Sequence, residues 1–390
     1  MRPNGTPLTL AAYAAESLTH RQFREFGLEL LDRVYLPPSM AGLCDTPPLE
    51  TRTFVEDDNR GAILPEPIAT LDGLPFFLSV KGVGSTVDPY SHRALDASCA
   101  GELTDDEDLR ARLARPAPGA EPRLITGELW LRGSPYGGQG LEHATTALQV
   151  SEMADLTSIH GFRIAPVVKV CFVPTEIAER VRRLYWYRRY PGRIVQELRL
   201  VPSNVRVFFH ARSTLGTSVR HVFDLFGVDR PATAVRFEVN LVRSAVAMLT
   251  LYARTLRALA PGDRYGGLDL HDVWLDKDAV VAPDGTAYFV DLEGIEEVPA
   301  DAASVRERME DQIYRSLYEF VFAYEQVEQE RVRRFGEPAD RRSHFERILG
   351  EALRDDPFAR LRAVPGGVEL EVRNLAREER FNFGFRILDH

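Results

Sequence analysis

Ionisable residues in three parts of the chain have the types and settings that chemistry on phosphate requires. Lys81 ends an apolar run, LPFFLSV, and stands directly before Gly82 and Gly84. Asp278 and Asp291 stand at the two ends of a predicted hairpin, DAVVAPDGTAYFVD. Transfer of a phosphoryl or nucleotidyl group needs cations against phosphate oxygens, carboxylates that hold a metal ion and backbone that approaches the nucleotide. The pattern therefore predicts a site for ATP with Mg²⁺ or Mn²⁺.

Two further stretches follow the spacing of protein kinases. Glu152 lies in a predicted helix, and a helix glutamate in active kinases pairs with the strand lysine, here Lys81. His271 begins a segment that parallels H-R-D-L-x-x-x-N, in which the metal-binding Asn falls seven positions after the His. That position is Asp278, and an aspartate binds Mg²⁺ as an oxygen ligand. The position of the kinase base is Val273, which cannot accept a proton.

Four short motifs follow one another along the chain in a characteristic order. They are KGVGST with PYS after it, beginning at Lys81, SEM at 151–153, RLVPSNVR at 199–206 and HDV at 271–273. Together they resemble the motifs of the selenoprotein O family, kinase-fold enzymes that transfer AMP to proteins. The HDV segment is similar to that family's H-G-V, which also lacks the kinase base.

The resemblance implies an inverted nucleotide whose α-phosphate is open to attack. It implies that Arg199 and Arg206 grip the outer phosphates and that Lys81 and Glu152 form the phosphate-binding pair. The two aspartates at the ends of the hairpin would be the metal ligands. Seven positions separate the two arginines, so a turn between them is needed to bring both onto one pocket.

The proton acceptor is left open by the residues. The family's base is an aspartate just before the metal-binding asparagine, and here these positions hold Lys277 and Asp278. A lysine acts as a base only where burial or cationic neighbours depress its pKa. Asp272 and Asp276 are nearby substitutes.

These residues require a particular set of elements. Strand-like runs and one helix precede residue 200, and long helical stretches with one hairpin follow it, which predicts an α+β, protein-kinase-like two-lobed fold. We expect a helical extension over 1–60, a small strand-rich N-lobe over 61–200 with an insertion near 92–122, and a mainly helical C-lobe over 201–390.

Several elements are predicted individually from hydrophobic periodicity and turn signals. They are helices over 141–159, 234–260, 303–335 and 341–356, strands in LPFFLSV, VVKVCFVP and RIVQELRLVPS, and a hairpin that turns at Asp284-Gly285.

Composition narrows the class of protein. Of the 390 residues 44% are hydrophobic, the net charge is −10, and the three cysteines are widely spaced. The acidic balance argues against nucleic acid and anionic membranes as partners. With no apolar run of membrane-spanning length, we expect a cytoplasmic protein whose partners are a nucleotide and a protein or small-molecule acceptor.

Two other functions fit parts of the pattern. A kinase acting on a small molecule or a protein would transfer the γ-phosphate from an upright nucleotide. A non-catalytic pseudokinase would bind nucleotide without turnover, as Val273 and Lys277 favour.

Overall fold

The structure is a computed structural model of the 390-residue chain. It describes residues 55–57, 61–63, 67–81, 139–159, 161–172, 175, 193–203, 205, 219–258, 267–269, 278–294, 296–298, 323–355, 359–364, 367–372 and 379–384. These residues fall into two units. The first lies within Met1–Leu156, Ala165–Asn204 and Ser213–Leu215, and the second within Thr157–Ile164, Val205–Arg212 and Gly216–His390. The predicted insertion near 92–122 lies outside the described residues, and so does the helical extension predicted over 1–60 apart from residues 55–57, which form a strand.

The described elements are mixed α and β. The strands are β1 Val55–Asp57, β2 Gly61–Ile63, β3 Ala69–Leu71, β4 Leu74–Lys81, β5 Gln139–Gly140, β6 Ser158–Ile159, β7 Phe162–Arg163, β8 Val167–Phe172, β9 Ile194–Val201, β10 Gly267–Asp269, β11 Ala279–Val281, β12 Ala287–Phe289, β13 Glu296–Val298, β14 Ala359–Val364, β15 Gly367–Val372 and β16 Glu379–Gly384. The helices are α1 Leu141–Met153, α2 Val219–Leu225, α3 Pro231–Ala258, α4 over 323–335 and α5 Arg341–Ala352.

The first unit is built on a curled antiparallel sheet of seven strands. Its strand order is β1-β2-β4-β9-β5, with β3 beside β4 and β8 beside β9. Every residue of β9 is buried, and β9 pairs with both β4 and β8. The predicted strands in LPFFLSV, VVKVCFVP and RIVQELRLVPS are confirmed as β4, β8 and β9.

A two-residue turn joins β3 to β4. Asp72 and Gly73 have φ of 52° and 77°, and Leu71 pairs with Leu74 across the turn. Positive φ at both central positions is the geometry of a type I′ hairpin, for which Asp-Gly is a favoured sequence.

Helix α1 packs its buried residues Ala144, Ala147 and Val150 in the first unit. It ends at Met153, so the predicted helix over 141–159 is six residues too long; Ser158 and Ile159 instead form β6. Near its end the Ser151 hydroxyl donates to the carbonyl of Ala147 at 2.7 Å and accepts from the backbone N–H of Val167 at 2.8 Å. This side chain therefore fixes the last turn of α1 to the start of β8.

The second unit is organised around α3, which spans 28 residues and confirms the predicted long helix. The described part of the helix predicted over 303–335 is α4.

Helix α5 begins at its N-cap, where the Asp340 carboxylate accepts from the backbone N–H groups of Arg342 and Ser343. The hydroxyl of Ser343 donates to the same carboxylate and, with these backbone bonds, lowers the pKa of Asp340.

A buried carboxylate joins α3 to α4 and α5. Glu238 is fully buried; its Oε1 accepts from Nε of Arg331 at 2.6 Å and its Oε2 lies 2.8 Å from Nε2 of His344. An arginine N–H of Arg347 lies 3.0 Å from Nδ1 of the same imidazole. Since a guanidinium cannot accept a hydrogen bond, Nδ1 must be the acceptor. His344 therefore donates to Glu238 through Nε2–H.

A second carboxylate extends this cluster. Glu328 accepts from Arg341 at 2.9 Å and lies 3.7 Å from Arg331. Tyr324 is buried nearby, and burial, followed by the negative charges of Glu238 and Glu328, raises its pKa well above the ordinary value. The phenol is therefore neutral at all physiological pH values.

On α4 a further acidic residue, Glu330, binds two arginines. It accepts from Arg333 at 2.6 Å and from Arg334, which also binds Asp224 of α2 at 2.6 Å. Burial raises the pKa of Glu330, but the hydrogen bonds from the two arginines outweigh it, and the net shift is downward.

The described end of the second unit is not helical. Strands β14, β15 and β16 form an antiparallel three-stranded sheet in which Arg360 pairs with Glu371. The prediction of a mainly helical C-lobe over 201–390 did not include this sheet. Alternation at period two in ARLRAV, VELEV and RFNF is the sequence signal for these strands.

Candidate functional site

The hairpin β11–β12 carries the two aspartates predicted to bind metal. Asp278 directly precedes β11, and its carbonyl accepts from the backbone N–H of Val290 at 2.8 Å. Asp291 is the next residue after Val290 and directly precedes a 3₁₀ turn, Leu292–Gly294. Asp278 is 2% exposed and Asp291 is partly exposed. The antiparallel register thus brings both carboxylate-bearing residues to the same, open end of the hairpin.

The closed end of this hairpin has the turn that its sequence predicts. Gly285 has φ of +92°, and the backbone N–H of Thr286 donates to Oδ1 of Asp284 at 3.0 Å. A side chain at position 285 would meet Phe237 of α3, whose carbonyl oxygen lies 2.5 Å from the place of a Cβ. Glycine is therefore required here both for the left-handed backbone and for close packing on α3.

Helix α3 anchors the hairpin through two polar side chains. Asn240 donates to the carbonyl of Asp284 at 2.9 Å, and the Ser244 hydroxyl accepts from the backbone N–H of Ala287 at 3.0 Å. On β12 the Phe289 ring stacks on Phe162, with centroids 4.5 Å apart. The hairpin is consequently held by two hydrogen bonds from α3 and by the ring contact between Phe289 and Phe162.

Two carboxylates are a reasonable set for a magnesium-nucleotide. Mg²⁺ retains several waters and is usually held by one or two carboxylates together with substrate phosphates. In the part of the chain that the structure describes, no group of three or more His, Cys, Asp or Glu residues is arranged to hold a metal by itself. The metal-binding roles of Asp278 and Asp291 stay predictions.

The predicted phosphate-binding lysine lies in the first unit, at the end of β4. In the β4–β9 pair, Lys81 stands opposite Glu197, and Ser79 stands opposite Arg199. Directly opposite residues of an antiparallel pair project to the same face, and so do residues two apart along a strand. These four residues, which we call the polar row, therefore share one face of the sheet.

The polar row is buried. Lys81 is 7% exposed, Arg199 4% and Glu197 0%, and the Arg199 guanidinium lies 4.0 Å from the Glu197 carboxylate. Two cations and one anion thus stand side by side in a region shielded from water, where charges interact far more strongly than at the surface. The structure brings Lys81 and Arg199, both predicted to contact phosphate, onto this face.

Glu152 has a different setting. It lies on the last turn of α1, and its side chain is exposed, whereas Ser151 beside it is buried. The carboxylate opposite Lys81 in the sheet is Glu197. The pairing of Lys81 with Glu152 stays a prediction.

Glu197 faces Lys81 in the sheet but was not predicted from the sequence. It lies in RIVQELRLV, an apolar strand that is interrupted by glutamine, glutamate and arginine. A charged residue within a fully buried strand is uncommon unless it is paired. That signal was present, but only the strand register shows which cations face it.

Six of the predicted site residues lie outside the described residues. They are Gly82, Gly84, Arg206, Asp272, Asp276 and Lys277.

Comparisons of the chain with family models, with curated proteins and with solved structures found no match. Among the described helices, none combines the length and the apolar character needed to span a bilayer.

Proposed function

We propose that this chain is a metal-dependent, ATP-using transferase with a protein-kinase-like two-lobed fold, and that it transfers AMP to a protein hydroxyl. The observation that carries the proposal is that Asp278 and Asp291 both lie at the open end of one hairpin. Their spacing along the chain matches the kinase order, in which the catalytic loop ends in one metal ligand and a short hairpin leads to the next.

The roles follow from charge and position. Lys81 and Arg199, on the buried face of the first unit's sheet, bind phosphate oxygens, and Arg206 adds a second guanidinium as the family resemblance implies. Asp278 and Asp291 hold Mg²⁺ or Mn²⁺, which neutralises charge that develops on the phosphates. Glu152 is assigned from the resemblance alone as a partner of the lysine.

The reaction joins the acceptor hydroxyl oxygen to the α-phosphorus of ATP. The bond from that phosphorus to the bridging oxygen of pyrophosphate breaks, and pyrophosphate leaves with the electron pair. The hydroxyl proton passes to a base, for which Asp272, Asp276 and Lys277 are the candidates near the position that Val273 occupies.

The first test is metal-dependent binding of ATP, measured as a thermal shift with and without Mg²⁺ or Mn²⁺. We expect stabilisation in the wild type and its loss in Asp278→Asn and Asp291→Asn. Asp284→Asn is the matched control, since it makes the same change at the closed end of the same hairpin and keeps the Oδ1 acceptor. Absence of any shift in the wild type, or equal shifts in all variants, rejects the proposal.

The second test distinguishes the type of transfer. The protein is incubated with acceptor proteins from a cell extract and with ATP labelled at either the α- or the γ-phosphate. AMP transfer predicts protein-bound label from α-labelled ATP only. Label from the γ position alone identifies a kinase, and binding without any transfer identifies a pseudokinase, the function that Val273 favours; either result overturns AMP transfer.

A further inference from the structure

We infer that Glu197 is the positioning residue that holds the ammonium of Lys81 in its phosphate-binding place. The inference rests on the proposed function, because it concerns the lysine assigned there to the phosphates. It concerns a residue that no motif of the sequence singled out.

The first support is the strand register. Lys81 and Glu197 are direct cross-strand partners in the β4–β9 pair, and Gly61 of β2 is the partner of Lys81 on its other side. Side chains of directly opposite residues begin about 4.5–5.5 Å apart at Cβ and share a face. Glycine has no side chain, so of the two strand neighbours of Lys81 only Glu197 presents one.

The second support is burial. Glu197 is 0% exposed and Lys81 is 7% exposed. A buried ammonium and a buried carboxylate are each costly to remove from water unless they are paired and hydrogen-bonded. Opposite charges at neighbouring buried positions therefore favour a persistent interaction between them.

The third support is Arg199, which shares the carboxylate. Its guanidinium lies 4.0 Å from Glu197, so one anion stands beside two cations. The polar row has one more positive than negative charge, which suits it to bind a phosphate. The Glu197 carboxylate orients the side chains of both cations. Lysine is a flexible point charge on a four-carbon stem, so it needs such a partner to hold one orientation.

Glu152 is less suited to this role. Its side chain is exposed on α1, where water and salt screen its charge. Glu197 lies instead in a strand hydrogen-bonded to the strand of Lys81. The inferred Lys81–Glu197 pair therefore needs no side chain from α1.

The experiment is a double-mutant cycle with Lys81→Met and Glu197→Gln, read out as ATP affinity by calorimetry with Mg²⁺. We expect Glu197→Gln alone to weaken ATP binding on the order of 10- to 100-fold, the value of a hydrogen bond to a charged group. In the Lys81→Met background the same change should have almost no further effect, because Glu197 acts through Lys81. A merely structural Glu197 would give independent, multiplying losses in the two backgrounds, which overturns the inference.

Two variants complete the comparison. Glu197→Asp keeps the charge and should recover part of the affinity that Glu197→Gln loses. Glu142→Gln, at an exposed position in the first turn of α1, is the control for loss of a surface carboxylate and should bind ATP as the wild type does. A greater loss in Glu152→Gln than in Glu197→Gln assigns the role to the helix and rejects Glu197.

The same cycle is measured by urea unfolding without nucleotide, which separates this inference from the proposed function. Coupling between positions 81 and 197 is expected in the free energy of unfolding whether or not ATP binds. If coupling is present but the wild type does not bind ATP, the proposed function fails and the Lys81–Glu197 pair stands. If coupling is absent, Glu197 does not hold Lys81, whatever the protein binds.

Discussion

Replacing Glu238 by glutamine tests whether the buried ion cluster of α3, α4 and α5 stabilises the second unit. The side chain is fully buried, and its two oxygens meet Arg331 at 2.6 Å and His344 at 2.8 Å. Glutamine has nearly the same shape but no charge. Among the residues that the structure describes, Arg331, whose side chain is 5% exposed, would keep Glu328, at 3.7 Å, as a neighbouring anion.

The expected cost follows from this geometry. Removing one partner of a buried ion pair leaves an uncompensated buried charge and costs roughly 3–5 kcal/mol. For a unit of this size, that loss lowers the unfolding midpoint by on the order of 10 °C. Urea unfolding followed by circular dichroism measures the change. The slope of the free energy of unfolding against urea concentration should be unchanged, because the surface exposed on unfolding is the same.

The matched control is Glu346→Gln on α5. Glu346 also binds an arginine, Arg342, at 3.1 Å, but the two side chains are 34% and 50% exposed. An exposed pair of this kind contributes only ~0–1 kcal/mol. If Glu238→Gln costs less than about 1 kcal/mol, or no more than the control, then burial does not determine the importance of these ion pairs and the reasoning is refuted.

Three further predictions concern single side chains. Ser151→Ala should lower the free energy of unfolding by about 1–3 kcal/mol, since the buried N–H of Val167 loses its acceptor; thermal unfolding checks this, and a neutral result contradicts it. Gly285→Ala should be among the most destabilising alanine substitutions in the hairpin, because its φ of +92° and the 2.5 Å approach to Phe237 both exclude a Cβ; wild-type stability in that variant would disprove the strain. Burial raises the pKa of Glu330 and the two bound arginines lower it, with a net downward shift. The ionised Glu330 therefore stabilises the folded state above the unfolded pKa of about 4.3, and this stabilisation is lost as pH falls through the folded pKa. The stability difference between wild type and Glu330→Gln should therefore be constant at neutral pH and shrink on acidification below about pH 4.3, as urea titrations at several pH values would show; a difference that grows there has the wrong sign.

The local elements were predictable because their signals are local. Apolar runs of strand length predicted β4, β8 and β9, and a long apolar stripe predicted α3. Asp284-Gly285 predicted its hairpin because few sequences adopt positive φ without strain. The end of α1 was misplaced because helix periodicity continues past Met153 in the sequence, whereas the chain leaves the helix there and forms β6.

The candidate site was predictable in part. Spacing around the hairpin placed Asp278 and Asp291 at its ends, and an antiparallel hairpin necessarily brings its two ends together. Glu197 was missed because a strand's partners are distant in sequence, and a register shift of one residue would move its side chain to the other face.

Sequence alone determined the residue types available for phosphate chemistry, the helices and strands that carry them, and the hairpin that joins the two aspartates. Only the tertiary structure decided which charges share a buried face: Lys81 with Glu197 and Arg199 in the sheet, and Glu238 with Arg331 and His344 among the helices. The physical reason is that charge interactions depend on distance and on exclusion of water. Both are set when segments far apart in the chain pack together.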